Sequence, residues 1–146
     1  MLKGIPSILS PELLQVLMTM GHGDEICLGD GNFPHVGMSG NGRVIRCDGH
    51  NIPDLLQAIL QLMPLDPYVD SPVMLMQVTP GDPVKTPIWD EYKKIVGQFD
   101  PRAAANIVNI ERFAFYDRAR TSFAIVATGE KALYANIILK KGVVVE

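Results

Sequence analysis

Polar positions are sparse and regularly spaced along three stretches of the chain, and each stretch predicts a helix. Between residues 11 and 20 the polar side chains are Glu12, Gln15 and Thr19, a narrow stripe at helical spacing. Leu13, Leu14, Val16, Leu17, Met18 and Met20 fill the remaining positions. Ser10 is a natural N-cap, Pro11 suits the first helical position, and Gly21 can close the helix in a left-handed turn. Residues 53–63, PDLLQAILQLM, repeat the arrangement with Asp54, Gln57 and Gln61 as the only polar side chains. The stretch 88–99, IWDEYKKIVGQF, divides differently. Its apolar positions 88, 89, 92, 95, 96 and 99 share one face and charge covers the other, the pattern of a solvent-facing helix.

Six apolar runs alternate with these helices: EICLG (25–29), RVIRC (43–47), VMLMQV (73–78), NIVNI (106–110), FAIVAT (123–128) and NIILKK (136–141). Several are nearly continuous, as strands covered on both faces require. Helices interleaved with such strands predict a three-layer α/β/α sandwich around a mostly parallel or mixed sheet of about six strands. TPGDPVKTP (79–87) is an excursion between strand and helix, and no linker or repeat divides residues 1–146, which predict one domain. The polar stripes of the first two helices are too narrow for outer-layer helices of a small monomer. They predict subunit contacts.

Composition narrows the function classes. The chain is 47% hydrophobic and 20% charged, with a net charge of −3. That balance fits a folded core and supplies no basic field for nucleic acid. No apolar run is long enough to cross a bilayer, and MLKGIPSILSPELL is broken by two prolines, unlike a signal peptide. Cys27 and Cys47 lie in apolar strand-like runs and read as buried thiols in a reducing cytoplasm.

The chemical candidates thin out quickly. Gly29 and Gly31 begin a dinucleotide fingerprint, but Pro34 takes the third glycine's place and no P-loop lysine occurs. His22, His35 and His50 are 13 and 15 residues apart, and neither cysteine has a C-x-x-C partner, so no metal motif forms. There is no G-x-S-x-G elbow for a nucleophilic serine. Proton transfer is what remains. His22 stands between two glycines in a helix-to-strand turn, and Asp30 closes a strand at its carboxyl end, where open α/β sheets place ligands. Arg112 and Tyr116 share a face if their stretch is helical, and Tyr134 and Asn136 lie on one side of an extended chain. Each also has an ordinary structural reading: a loop histidine, an Asx-turn acid, a surface arginine, a strand-entry pair.

Taken together, MLKGIPSILSPELLQVLMTMGHGDEI, DLLQAI, RFAFYDRA and TGEKALYANIILKKGV resemble the RbsD/FucU family of sugar mutarotases along almost the whole chain, and within it the L-fucose branch. The resemblance implies an α/β fold, a ring-shaped homo-oligomer (typically a decamer), a monosaccharide substrate and no metal or organic cofactor. It gives His22 the role of proton donor and gives Asp30, Arg112, Tyr134, Ala135 and Asn136 contacts to the sugar. The Arg-Phe-Ala-Phe-Tyr block separates the fucose branch from the D-ribose branch. One departure bears on sugar preference: the fucose branch commonly has Ala-His after the aspartate, where this chain has Gly31 and Asn32. A non-catalytic sugar-binding or regulatory protein and a D-ribose pyranase-type enzyme are the alternatives. Either way, a five-residue strand such as Glu25 to Gly29 spans about 16 Å at roughly 3.3 Å per residue, with His22 and Asp30 at its opposite ends. The two are therefore expected to meet across a subunit boundary.

Overall fold

The structure, a computed structural model, describes residues 1–146. Its elements are α1 (Pro11–Thr19), β1 (Glu25–Gly29), α2 (His35–Met38), β2 (Val44–Cys47), α3 (Ile52–Leu60), β3 (Val73–Met76), α4 (Pro87–Phe99), α5 (Pro101–Ala105), β4 (Val108–Ile110), α6 (Arg112–Thr121), β5 (Ala124–Thr128) and β6 (Ile137–Lys140). The six strands form one sheet in the order β2-β5-β1-β6-β3-β4. β2, β5 and β1 are mutually parallel, as are β3 and β4. β6 runs antiparallel to both of its neighbours, so the sheet is mixed, with one reversed strand at its centre.

Strand alternation divides the interior into two layers. Ile26, Leu28, Val73, Leu75, Ala124, Val126, Ile137 and Leu139 face the larger core with Leu13 and Leu17 of α1, Leu55 and Ile59 of α3, and Tyr92 and Val96 of α4. Their neighbours Cys27, Met74, Met76, Ile125 and Ile138 face a smaller core with Phe33 and with Phe115 and Ala119 of α6. Burial on both faces is why these strands read as unbroken apolar runs. Both cysteines are buried and free. No helix is long and apolar enough to cross a membrane.

The helix starts follow their caps. Ser10 Oγ accepts the Leu13 N–H at 3.1 Å, and Asn51 Oδ1 accepts the Asp54 N–H at 2.9 Å. The end of α1 differs from expectation. Met20 leaves the helix in an extended conformation, and the left-handed glycine is Gly23 (φ +86°), so the turn forms around His22 instead of before it. The expected role of α3 also changes. Its Ile52, Leu55, Leu56, Ala58, Ile59 and Leu60 are all buried within the chain, so its narrow polar stripe reflects enclosure by its own fold. In α1, by contrast, Met18 is 86% exposed.

Candidate active site

The reversal of β6 builds the site. The parallel strands β1, β3 and β4 end together at their carboxyl ends, and β6 begins there, because Leu28 pairs with Ile137 and Leu75 with Ile137 across the same level of the sheet. Asp30, which follows β1, therefore meets Asn136, which precedes β6: the Asp30 N–H donates to Asn136 Oδ1 at 2.8 Å. Both residues are buried. Arg112 enters from the start of α6, just beyond β4.

These residues line a cavity of about 300 Å³ with Asn32, Phe33, Met76, Asp82, Tyr116, Leu133 and Tyr134. Asp30 Oδ1 accepts the Asn32 N–H at 3.0 Å. Burial raises the Asp30 carboxyl above the usual carboxylate range, even though the N–H groups of Asn32, Ala135 and Phe33 and the nearby His35 pull the other way. Arg112 Nε reaches the Tyr116 hydroxyl at 3.4 Å, confirming that the two share a helix face. Its guanidinium also lies 5.5 Å from the Tyr116 ring centroid.

Tyr134 departs from the extended conformation expected of it. Its φ is +55°, the one left-handed non-glycine residue of the chain. That kink turns its carbonyl to accept the Trp89 indole N–H at 2.8 Å and lets the phenol donate to Asp82 Oδ2 at 2.7 Å. Ala135 does not line the cavity. It is fully buried, its carbonyl accepting the Tyr92 hydroxyl at 2.7 Å, and it reaches the site through the backbone N–H that faces Asp30.

His22 stands at the other end of β1. Its Nε2 lies 3.0 Å from Asp66 Oδ1, and its ring centroid is 5.3 Å from that of the exposed Tyr68. Asp66 is buried, which alone would raise its carboxyl. The Tyr68 N–H, His22 and Lys140 outweigh that and hold it below the usual range. An ionised carboxylate only accepts hydrogen bonds, so the His22 Nε2–H donates to Asp66 Oδ1. The His22 side chain is 43% exposed, against 3% for Asp66. The structure thus brings together Asp30, Arg112, Tyr134 and Asn136 and leaves His22 apart from them, within one chain. No three His, Cys, Asp or Glu side chains cluster to hold a metal ion.

Asp66 and Asp82 were missed from sequence. Both precede proline in loops, Asp66-Pro67 and Asp82-Pro83, a signal that reads as turn initiation and hides any further role.

The model of the RbsD / FucU transport protein family matches residues 3–144. The chain belongs to the RbsD/FucU family. A fucose mutarotase of Mus musculus is 54% identical over 145 residues, spanning 97% of this chain and 94% of that protein. The crystal structure of FucU from Bifidobacterium longum superposes with a TM-score of 0.95 at 52% identity, covering 98% of this chain and all of the other. A fucose mutarotase from Streptococcus pneumoniae, crystallised in complex with L-fucose, gives a TM-score of 0.91 at 52% identity, over 99% of this chain and 100% of that one. The three-layer mixed α/β fold expected of this RbsD/FucU member is thus seen both in its own sheet and in these relatives.

Proposed function

We propose that the protein is an isomerase that interconverts the α and β anomers of L-fucose by acid–base ring opening and closure. The observation that carries this reading is the His22–Asp66 pair: an imidazole hydrogen-bonded to a buried carboxylate and itself open to the outside, on a chain whose relatives are fucose mutarotases. Sugar binding alone has no need of such a pair.

The reaction breaks the bond between C1 and the ring oxygen. A base takes the proton of the anomeric hydroxyl, the C1 carbonyl forms, and an acid protonates the departing ring oxygen. The C1–C2 bond then turns and the steps reverse on the opposite face. Acid and base exchange roles in the return direction, which suits an imidazole with an ordinary value of about 6.5. His22 delivers the proton to the ring oxygen, and Asp66 stabilises its charged form. The anomeric proton is accepted by Asp30, or by Tyr134 passing its own proton to Asp82. Asn136 and Arg112 hold the remaining hydroxyls.

Because His22 and Asp30 flank β1, one sugar meets both only where two chains join. We therefore read the assembly as a homo-oligomer, a ring of about ten chains, with sites at its subunit boundaries. Met18, Tyr68, Val144 and Val145 are exposed near the His22 end and provide apolar surface for that contact. The two free, buried thiols support a reducing compartment, and we place the protein in the cytoplasm.

Exchange NMR on L-fucose, D-ribose, D-galactose and L-rhamnose tests the reading. Catalysed exchange is expected to be fastest for L-fucose. His22→Ala should abolish it while leaving L-fucose affinity largely intact. Saturable binding with no acceleration in the native protein would favour the binding-protein alternative, and a preference for D-ribose would overturn the branch and turn attention to Asn32.

A further inference from the structure

The cavity takes Tyr134 and Asn136 from the YANIILKKG motif and leaves its Lys-Lys-Gly part unexplained. That second part lies at the far end of β6, beside His22. There the Lys141 ammonium donates to the carbonyls of Leu17 and Met20, at 2.8 and 2.5 Å. These are carbonyls from the end of α1, a helix with no basic residue of its own in the last turn. Lys141 therefore satisfies acceptors that the helix leaves open and sets its charge against the negative end of the helix dipole. Met20 is two residues from His22.

The Lys141 backbone holds the other side of the same turn. Its carbonyl accepts the Gly23 N–H and its N–H donates to the Asp24 carbonyl, both at 2.9 Å. His22 is thus gripped before and after by one residue. The opposite flank of that residue carries Asp66. Lys141 bridges to Leu65, the Lys140 carbonyl accepts the Asp66 N–H at 3.0 Å, and the Gly142 N–H donates to the Pro64 carbonyl at 2.8 Å. Gly142 is required for this approach, because a Cβ there would sit 2.4 Å from the Leu65 carbonyl oxygen.

We propose that Lys141 is a positioning residue for the reaction: it registers the turn that carries His22 against the loop that carries Asp66. The inference rests on the mutarotase reading for its consequence, though not for its geometry. His22 and Asp66 come from segments far apart in sequence and share this anchor. Removing the ammonium frees the Met20 carbonyl and lets the His22 turn drift relative to its carboxylate. Asp30, Arg112 and Asn136, at the other end of the sheet, are untouched.

Lys141→Met removes the donors and keeps the aliphatic stem. Turnover of L-fucose is expected to fall about tenfold to a hundredfold, the loss a misplaced reacting group produces, with KM nearly unchanged. The His22 imidazole resonances should shift in the same variant. Lys141→Arg, which can reach both carbonyls, should recover much of the rate. Ser10→Ala serves as the control, because it weakens α1 at its distant end and should leave turnover alone. If Lys141→Met does not fold, Lys141→Gln, which keeps an N–H donor without the charge, replaces it in the same assays. Unchanged turnover together with unmoved His22 resonances would overturn the proposal. If the native protein shows no catalysed exchange, the mutarotase reading fails on its own, and the His22 resonances alone then decide whether Lys141 positions the ring.

Discussion

Two buried aspartates of this chain are pushed in opposite directions by their surroundings, and the difference matches the roles proposed for them. Asp30 is raised by burial and faces the candidate-site cavity, whereas Asp66 is lowered by the Tyr68 N–H, the His22 imidazole and the Lys140 ammonium and faces His22. A depressed carboxyl binds its proton less tightly in the native state than in the unfolded chain. Its stabilisation is therefore complete above the ordinary value of about 3.9 and disappears as pH falls through the lower native value. Asp66→Asn retains an acceptor for the Tyr68 N–H but not the charge. We expect turnover to drop about tenfold or more with L-fucose affinity preserved, since general acid–base catalysis contributes at least that much. Thermal unfolding should show the native protein ahead of Asp66→Asn at neutral pH, with the gap closing on acidification; a gap independent of pH would remove the electrostatic account. The sequence pointed to Asp30 because a strand ends on it. Asp66 ends no strand, and its contact with His22 depends on how β6 is threaded, which no local pattern encodes.

At the scale of elements, the legible helices were those that combine a first-turn proline with a sustained period. α1, α3 and α4 appear within a residue or two of their predicted starts, each with a proline in its first turn, although Thr86 before α4 makes no side-chain cap. Asp100-Pro101 is the same signal before α5, overlooked because a helix of five residues has no period to display. α2 is a single turn without a side-chain cap and gave no sign of itself. The strands were found through their apolar runs, but their order was not, since pairing in this sheet joins segments far apart in sequence. Ser10→Ala and Asn51→Ala should each lower unfolding free energy by about 1 kcal/mol. They belong to different helices without shared partners, so the double variant should lose roughly the sum. Denaturant titration of the three variants checks this, and a loss well below additivity would show that the caps are coupled through α1 and α3 packing. None of the three should alter sugar exchange.

For the whole molecule the decisive feature is that one β-strand separates His22 from Asp30, the two halves of the proposed site. A strand cannot shorten, so the roughly 16 Å between its ends is a fixed spacing that one pyranose does not bridge. Burial of α3 within its own chain removes one of the two surfaces that first pointed to assembly. The case for an oligomer now stands on the separation of His22 from Asp30 and on the exposed apolar residues beside His22. This predicts a specific complementation. His22→Ala and Asp30→Ala should each be inactive alone, because each spoils one half of every shared site. When the two are unfolded together and reassembled in equal amounts, a site is intact only where the His22 half comes from one variant and the Asp30 half from the other. Random placement around a head-to-tail ring makes that about a quarter of the sites. L-fucose exchange should therefore recover to about a quarter of the native rate, as read by saturation-transfer NMR with mass spectrometry confirming mixed rings. Recovery near that fraction requires the two residues to act from different chains. Mixed rings with no recovery would mean that both act within one, and the shared-site assembly would have to be abandoned.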